Sequence, residues 1–364
     1  MSLMVWGYLV AGLVLLVIGA EVLVRGAAKV AAQFGIPPLI IGLTVVAFGT
    51  SAPETAVSVQ AALAGSGDLA IGNVVGSNIA NVLFILGLTA LIAPLIVSRQ
   101  LIRLDVPIMI GASMLTMALA WDGSLSKLDG LLLFTGIVVY TIFLIVSAYR
   151  EKNIAADDEF TKEFAQNQPA KPYGWVINLV LILVGLVLLV GGASLLVEGA
   201  VSLARALGLS ELVIGLTVVA VGTSLPELAT SLLAAIRGER DIAVGNIVGS
   251  NIFNLLCVLG LASLVSPAPV LVAANALAFD FPVMIGVALV CLPIFFSGYR
   301  INRWEGLLFI SYYVAYTLYL VLNASGRPLA QQFGTAMLGY VLPMTAITLL
   351  VITVQYWRKN RALG

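Results

Sequence analysis

Long apolar segments follow one another along most of this chain of 364 residues. A helix needs about 20 apolar residues to cross a bilayer, and eleven segments qualify as candidate spans. Only 10% of the residues are charged, too few to cover a water-soluble globule of this size. The chain is therefore predicted to be an all-α polytopic membrane protein. The predicted spans are residues 4–24, 37–63, 69–93, 104–121, 128–148, 174–197, 210–236, 242–265, 277–296, 305–323 and 336–357.

Charge and residue usage exclude several classes of function. Lysine plus arginine and aspartate plus glutamate number 18 each, so no basic surface for nucleic acid is expected. The absence of histidine excludes a histidine-rich zinc site and a serine–histidine–aspartate triad. Cys257 and Cys291 lie inside apolar runs, where small buried side chains are expected and no disulfide is. No cofactor and no obligate protein partner is predicted.

The basic residues predict how the chain is oriented. If the N-terminus lies outside, 15 of the 18 lysines and arginines fall at cytoplasmic ends and loops, and Lys127, Arg205 and Arg327 remain outside. Cytoplasmic loops of membrane proteins carry such an excess of basic residues. We therefore predict an N-terminus outside, a cytoplasmic C-terminus and residence in a prokaryotic inner (plasma) membrane. The first span has no basic residues before it and no cleavage site, so it is predicted to be an uncleaved helix.

The chain contains an internal repeat. Shifting it by 173 residues aligns residues 36–94 with 209–267 without a gap, and 34 of the 59 positions are identical. Weaker similarity extends the repeat, for example from Asp105 and Pro107 to Asp280 and Pro282. Each unit then holds five spans, and because five is odd the second unit enters the bilayer from the opposite face. The predicted architecture is two inverted five-helix repeats plus an eleventh, C-terminal transmembrane helix.

This architecture predicts four regions of the chain. Residues 1–150 form the first repeat, and the polar residues 151–173 form a cytoplasmic loop. Residues 174–326 form the second repeat, and 327–364 hold the extra helix and a cytoplasmic tail. Inverted repeats are typical of secondary transporters, which bind their substrates near the midplane where interrupted helices meet.

The second and seventh spans carry the same polar block, Gly-Thr-Ser-x-Pro-Glu, which ends at Glu54 and Glu227. Proline lacks an N–H and crowds the carbonyl four residues earlier, so we expect a kink or break near Pro53 that frees backbone oxygens around Ala47 to Gly49. Spacings of three and four residues place the polar side chains on one helix face. This face holds Ala47, Thr50, Ser51, Glu54 and Ser58, and in the second copy Ala220, Thr223, Ser224, Glu227 and Ser231.

The third and eighth spans carry a second block, Gly-Asn-x-x-Gly-Ser-Asn-Ile. A four-residue spacing forms one polar stripe on each helix, made of Asn73, Ser77 and Asn81 and of Asn246, Ser250 and Asn254. The glycines of the block allow close helix packing. Serine, threonine and asparagine often serve only to hold helices together, so each of these residues alone is weak evidence for a ligand.

The two glutamates favour a site for hard cations. A carboxylate at mid-span costs about 2.5 to 3.5 kcal/mol on insertion scales unless it is paired or binds an ion. No lysine or arginine lies within these spans to pair with Glu54 or Glu227. Carboxylates, hydroxyls, amide oxygens and carbonyls form an all-oxygen ligand set, which suits Ca²⁺ and Na⁺ better than zinc or copper.

The paired blocks resemble the two alpha-repeats of the cation/calcium exchanger superfamily, in particular its sodium/calcium exchanger branch. The resemblance covers ten of the eleven predicted spans. It implies a secondary antiporter in which Na⁺ moves down its gradient and expels Ca²⁺ by alternating access. By position it implies backbone ligands at Ala47 and Ala220, and side-chain ligands at Thr50, Ser51, Glu54, Ser77, Asn81, Thr223, Ser224, Glu227, Ser250 and Asn254.

The chain departs from the family pattern at a few positions. Proton/calcium relatives carry an acid after the Gly-Asn pair, where this chain has Val74, Val75, Ile247 and Val248, which favours Na⁺. Many relatives carry an aspartate at the position of Asn254, so this core has two carboxylates and not three.

Three other functions stay open. In proton/calcium exchange, Glu54 or Glu227 would carry the proton. An intramembrane aspartyl protease needs two facing carboxylates, but glutamates on proline-broken helices with no glycine–aspartate motif argue against it. A channel or purely structural role is the third, and accumulation of the ion against a gradient would exclude a channel.

Overall fold

The computed structural model describes residues 3–155, 174–206, 220–296, 298–324, 329–345 and 347. Nearly all of them are helical, because backbone polar groups in an apolar environment must bond within their own segment. The described helices are α1 (Leu3–Phe34), α2 (Pro38–Thr50), α3 (Ala52–Leu63), α4 (Gly67–Ile92), α5 (Leu101–Asp122), α6 (Lys127–Ala155), α7 (Gly174–Ala206), α8 (Ala220–Gly222), α9 (Leu225–Ile236), α10 (Arg240–Val265), α11 (Ala276–Phe296), α12 (Arg303–Ala324) and α13 (Leu329–Ala336).

The lengths of these helices confirm the prediction of an all-α polytopic membrane protein. Among the described residues, 8 helices are long and apolar enough to cross a membrane, and the bent pair α2 and α3 brings the number to 9. The predicted seventh and eleventh spans fall partly on residues 207–219 and 348–364, outside the described ranges. The count of eleven spans, the five-plus-five-plus-one arrangement and the four-region division therefore remain predictions.

Several helices extend beyond the apolar runs that predict them. Helix α1 continues ten residues past the end of the predicted first span, to Phe34. It ends in a Schellman motif, in which Gly35 has a left-handed φ of 62° and the Ile36 N–H donates to the Ala31 carbonyl at 2.9 Å. Helix α6 likewise continues to Ala155, into the predicted loop, whose residues 156–173 lie outside the described ranges. The length of an apolar run reflects the thickness of the membrane. The helix itself can be longer than this run, because its backbone hydrogen bonds also form in water.

The first helices of the two repeats, α1 and α7, pack against each other in antiparallel directions. A Cβ added to Gly12 would lie 2.6 Å from the backbone nitrogen of Leu196, whereas one added to Gly26 would lie 3.0 Å from the Asn178 carbonyl. Residues further along α1 therefore contact residues nearer the start of α7, as expected for two helices that run antiparallel. The contact glycines recur every seven residues at Gly12, Gly19 and Gly26 and at Gly185, Gly192 and Gly199. The antiparallel contact of equivalent helices supports the inverted relation of the repeats.

In the described part of the chain, two short antiparallel sheets join the repeats. Strand β1 (Leu95–Ile96) pairs with β4 (Arg300–Ile301), and β2 (Ser124–Leu125) pairs with β3 (Val270–Leu271). Helix α5 connects β1 to β2 and, with 22 residues, is about 33 Å long. The sheets therefore lie at opposite ends of the helical bundle. Nothing in the sequence predicts these strands, because two residues are too few to show an alternating pattern.

Helices α4 and α10 form the centre of the protein. In their most apolar 18-residue windows, 72% and 89% of the residues are buried, compared with 28% for α6 and for α7. The outer helices expose apolar side chains, such as Val139 and Val187, to the surroundings. Both Gly-Asn-x-x-Gly-Ser-Asn-Ile blocks therefore lie in the interior, where polar side chains need partners.

Candidate cation site

The polar blocks of the second and seventh spans form breaks between helices. Helices α2 and α3 meet at an angle of 47° at Ser51, whose φ and ψ are −81° and 11°. Ser224, between α8 and α9, has nearly the same dihedral angles, −91° and 11°. Pro53 and Pro226 fall in the first turn of the following helix, where a missing N–H is tolerated. The predicted break is present, and it places Glu54 and Glu227 in the first turn of α3 and α9.

The carbonyl of Ala47, however, is not released by this break as the sequence analysis expects. It accepts a hydrogen bond from the Ser51 N–H at 3.1 Å and one from the Thr50 hydroxyl at 3.4 Å. In a helix the N–H of residue 53 would bond the carbonyl of Gly49, four residues earlier. Pro53 has no N–H, so the bond that is lost is the one to Gly49 and not one to Ala47. A carbonyl has two lone pairs, so further coordination by Ala47 would compete with these bonds. Ala220 begins α8, and its side chain lies outside the described set.

The two carboxylates are bonded across the repeats. Ser51 Oγ donates to Glu227 Oε1 at 3.0 Å, and Ser224 Oγ donates to Glu54 Oε1 at 3.1 Å. Both glutamates are fully buried. Each serine precedes a helix but makes no side-chain cap to it, because its hydroxyl bonds the glutamate of the other repeat. Neither repeat therefore builds this centre alone.

The serines and asparagines of the predicted stripes line the same centre. Ser77, Asn81, Ser250 and Asn254 are at most 2% exposed. Asn81 Nδ2 donates to Asn251 Oδ1 at 3.0 Å, and Asn254 Nδ2 donates to Asn78 Oδ1 at 3.2 Å. Because these bonds engage the amide nitrogens, the Oδ1 atoms of Asn81 and Asn254 are left to accept. Both residues also begin a π-helical turn, a feature frequent at functional sites.

Two further asparagines of the stripes hold the glutamate helices. Asn73 Nδ2 donates to Ser58 Oγ, and Asn246 Nδ2 donates to Ser231 Oγ, both at 2.9 Å. Their amide oxygens accept bonds from the threonines of the other repeat. Thr50 donates to Asn246 Oδ1 at 3.1 Å, and Thr223 donates to Asn73 Oδ1 at 3.5 Å. Thr223 directs its hydroxyl proton to Asn73, whereas the single proton of Thr50 is shared between Asn246 Oδ1 and the Ala47 carbonyl. The oxygen lone pairs of both threonines remain for coordination.

Asn78 and Asn251 are residues that the helix-face reasoning misses. Besides orienting Asn81 and Asn254, each donates to the other's backbone carbonyl, at 3.2 Å and 3.4 Å. They occupy the same position in both copies of the block, so the repeat alignment contains a signal for them. The four-residue stripe leaves them out because they follow Ser77 and Ser250 by one residue and lie on another face.

Six buried oxygens at this centre have no hydrogen-bond partner among the described residues. They form symmetric pairs, namely Glu54 Oε2 and Glu227 Oε2, Ser77 Oγ and Ser250 Oγ, and Asn81 Oδ1 and Asn254 Oδ1. Buried polar atoms are normally bonded, and these six oxygens can all coordinate a cation. Ca²⁺ takes six to eight oxygen ligands. The donor set therefore fits a dehydrated hard cation as cargo.

No group of three or more histidine, cysteine, aspartate or glutamate side chains occurs in the described part of the chain. A cation at this centre would thus be held by two carboxylates and otherwise by neutral oxygens. Cys257 and Cys291 are free and buried, and both lie outside the two polar blocks. The fold is that of a membrane transporter, and the oxygen-rich centre fits a hard cation as its cargo.

Comparison with known proteins agrees with this class. The family described as sodium/calcium exchanger protein matches residues 4–146 and 177–322. The putative antiporter CaxA of Alkalimonas amylolytica is 41% identical over 312 residues, which are 85% of this chain and 96% of the relative. The sodium/calcium exchanger MaX1 of Methanosarcina acetivorans is 34% identical over 356 residues, covering 86% of this chain and 97% of the relative.

Solved structures show the same similarity. The sodium-calcium exchanger NCX_Mj, in a structure soaked with zero Na⁺ and Ca²⁺, superposes with a TM-score of 0.73 at 33% identity. The match covers 90% of this chain and 100% of the other. The chain belongs to the sodium/calcium exchanger family and is a membrane transporter, not an enzyme.

Proposed function

We propose that this protein exchanges Na⁺ for Ca²⁺ across the membrane by alternating access, with both ions bound at the buried centre between α3, α4, α9 and α10. The observation that carries the proposal is the symmetric set of unpaired oxygens, which includes one carboxylate oxygen from each repeat. The proposed ligands are the backbone oxygens of Ala47 and Ala220 and the side chains of Thr50, Ser51, Glu54, Ser77, Asn81, Thr223, Ser224, Glu227, Ser250 and Asn254.

The surroundings of this centre favour Na⁺ over H⁺ as the coupling ion. Where an acid would follow the Gly-Asn pair in a proton-coupled relative, Val74, Val75, Ile247 and Val248 are at most 1% exposed and supply no proton acceptor. The chain also has no histidine to relay protons. Among the relatives, MaX1 is called a sodium/calcium exchanger, whereas the name of CaxA specifies no ion.

Charge balance suggests how many ions the centre holds at once. Two carboxylates neutralise one Ca²⁺ or two Na⁺, and Asn254 adds an oxygen without a charge. A third Na⁺ would have to be held by neutral oxygens against repulsion from the other two. We therefore propose that Ca²⁺ and Na⁺ occupy the centre in turn and not together.

Alternating access follows from the inverted repeats. Because equivalent contacts occur in both repeats with opposite orientation, exchanging the conformations of the two repeats opens the centre to the opposite side. We also propose the orientation that the basic residues favour, with the N-terminus outside and the C-terminus in the cytoplasm of a prokaryotic inner membrane.

Ion fluxes in proteoliposomes test the proposal and its proton-coupled alternative together. An outward Na⁺ gradient is expected to drive accumulation of ⁴⁵Ca²⁺ inside the vesicles, and an uncoupler is expected not to prevent it. A pH gradient in the absence of Na⁺ is expected to drive none. Accumulation driven by the pH gradient alone and abolished by the uncoupler would assign H⁺/Ca²⁺ exchange instead. Equilibration without accumulation would indicate a channel.

A further inference from the structure

The two sheets at opposite ends of the bundle are equivalent in the repeats but differ in charge. The β1 and β4 end carries four exposed arginines, Arg99, Arg103, Arg300 and Arg303. The β2 and β3 end carries Asp122, Lys127 and Asp129. The inverted symmetry of the fold does not require this difference. The preference of basic residues for the cytoplasmic side accounts for the positive charge but does not require arginine.

The sheet brings together arginines that lie about 200 residues apart in the sequence. Arg300 pairs with Ile96 in the strand register, and beyond that pair the Val97 N–H donates to the Tyr299 carbonyl at 2.9 Å. The guanidinium carbon of Arg99 lies 5.8 Å from the centre of the Tyr299 ring. Tyr299 has a φ of 54°, a left-handed conformation that is unusual for a bulky residue. The backbone thus holds an aromatic ring against Arg99, next to Arg300.

These arginines form no ion pair with the described residues. The ion pairs found there join Glu21 to Arg25 and to Arg237. The nearest carboxylate in sequence, Glu305, is buried and accepts the Asn302 N–H at 2.6 Å. At the opposite sheet, in contrast, Asp122 and Asp129 accept bonds from the backbone of their own turns. An exposed guanidinium that has no carboxylate partner can bind an anion from outside the protein.

The neighbourhood of the arginines is that of a membrane interface. Trp304 is 49% exposed next to Arg303, and Ile96 is 46% exposed next to the strand pair. Tryptophan is enriched where headgroups meet acyl chains. Arginine binds phosphate through two parallel hydrogen bonds, which lysine cannot form. The excess of basic residues on cytoplasmic sides of membrane proteins places this end in the cytoplasm, where anionic lipids attract basic residues.

We infer that the arginine sheet, made of Arg99, Arg103, Arg300 and Arg303 with Tyr299 and Trp304, binds the headgroup phosphate of an anionic phospholipid of the cytoplasmic leaflet. The arginines contact the phosphodiester, and the aromatic rings lie at the level of the glycerol backbone. This site is separate from the cation site and does not depend on which ion couples to Ca²⁺.

Replacing Arg99 and Arg300 by lysine separates this site from a purely topological role. The double variant Arg99→Lys and Arg300→Lys keeps every positive charge, so the orientation of the chain is unchanged, but it removes the paired hydrogen bonds. We expect phosphatidylglycerol, counted on the purified full-length protein by native mass spectrometry, to bind roughly five- to tenfold more weakly. Lys127→Arg at the opposite sheet is the matched control and is expected to bind the lipid as the unaltered protein does.

Three outcomes would overturn the inference. The first is wild-type affinity for phosphatidylglycerol in the lysine variant. The second is equal binding of phosphatidylglycerol and phosphatidylcholine by the unaltered protein. The third is displacement of the lipid by millimolar inorganic phosphate, which would assign the arginines to a free anion. Tyr299→Asn, which suits a positive φ, provides a second variant that keeps all four arginines and is expected to weaken binding about twofold to threefold.

Discussion

Replacing either buried glutamate by glutamine, in Glu54→Gln or Glu227→Gln, is expected to reduce Ca²⁺ flux at least about 100-fold. Glutamine keeps the size of the side chain and can still accept the bond from Ser224 or Ser51. It removes one of two charges that balance a dehydrated divalent ion where the dielectric constant is low. The measurement is Na⁺-driven ⁴⁵Ca²⁺ uptake by equal amounts of protein in proteoliposomes.

Asp68→Asn is the matched control, because Asp68 is an exposed carboxylate in the first turn of α4. It is expected to transport normally. The variant carrying both glutamines is expected to be no worse than either single variant, because the carboxylates act as a unit and their effects do not add. Near-normal exchange in either single variant would show that the ligand assignment is wrong.

Adding a methyl group at Gly192 is expected to disrupt the close contact between α1 and α7. A Cβ there would lie 2.7 Å from the Leu16 nitrogen and 2.9 Å from the Gly12 carbonyl, both backbone atoms of α1. Side chains can rotate away, but backbone atoms move only if the helices separate. We expect Gly192→Ala to destabilise the protein by about 1 to 3 kcal/mol, the usual cost of overpacking.

The neighbouring Gly191 provides the control, since a Cβ there meets nothing within 4 Å. Gly191→Ala is expected to be neutral or slightly stabilising, because alanine favours a helix by about 1 kcal/mol over glycine. The unfolding temperature in detergent, followed by size-exclusion chromatography of heated samples, measures both variants. Equal unfolding temperatures would contradict the close contact between α1 and α7.

Much of the fold follows from the sequence because two of its signals are strong. Apolar length predicts the membrane helices, and the 173-residue repeat predicts that each polar block has a partner of equal chemistry. Helical spacing then places Thr50, Ser51 and Glu54 on one face. These inferences concern single helices or the symmetry between them, which is why one chain is enough to make them.

The remaining features depend on how helices meet, which periodicity within one helix does not contain. The bond from Ser51 to Glu227 joins residues 176 positions apart, and either serine could equally have capped its own helix. The orientation of the Asn81 amide depends on Asn251 in the other repeat. The carbonyl of Ala47 shows the same limit on a smaller scale. Pro53 removes the hydrogen-bond donor of Gly49, and the Ala47 carbonyl, two residues earlier, stays bonded.

Equilibrium binding of ⁴⁵Ca²⁺ to the purified protein, with and without Na⁺, tests most directly whether the two repeats build one site that both ions share. We predict saturable Ca²⁺ binding whose apparent affinity falls as Na⁺ rises while its capacity stays constant, and loss of this binding in both Glu54→Gln and Glu227→Gln. Ca²⁺ binding that is indifferent to Na⁺, or that survives either substitution, would contradict a shared site between Glu54 and Glu227.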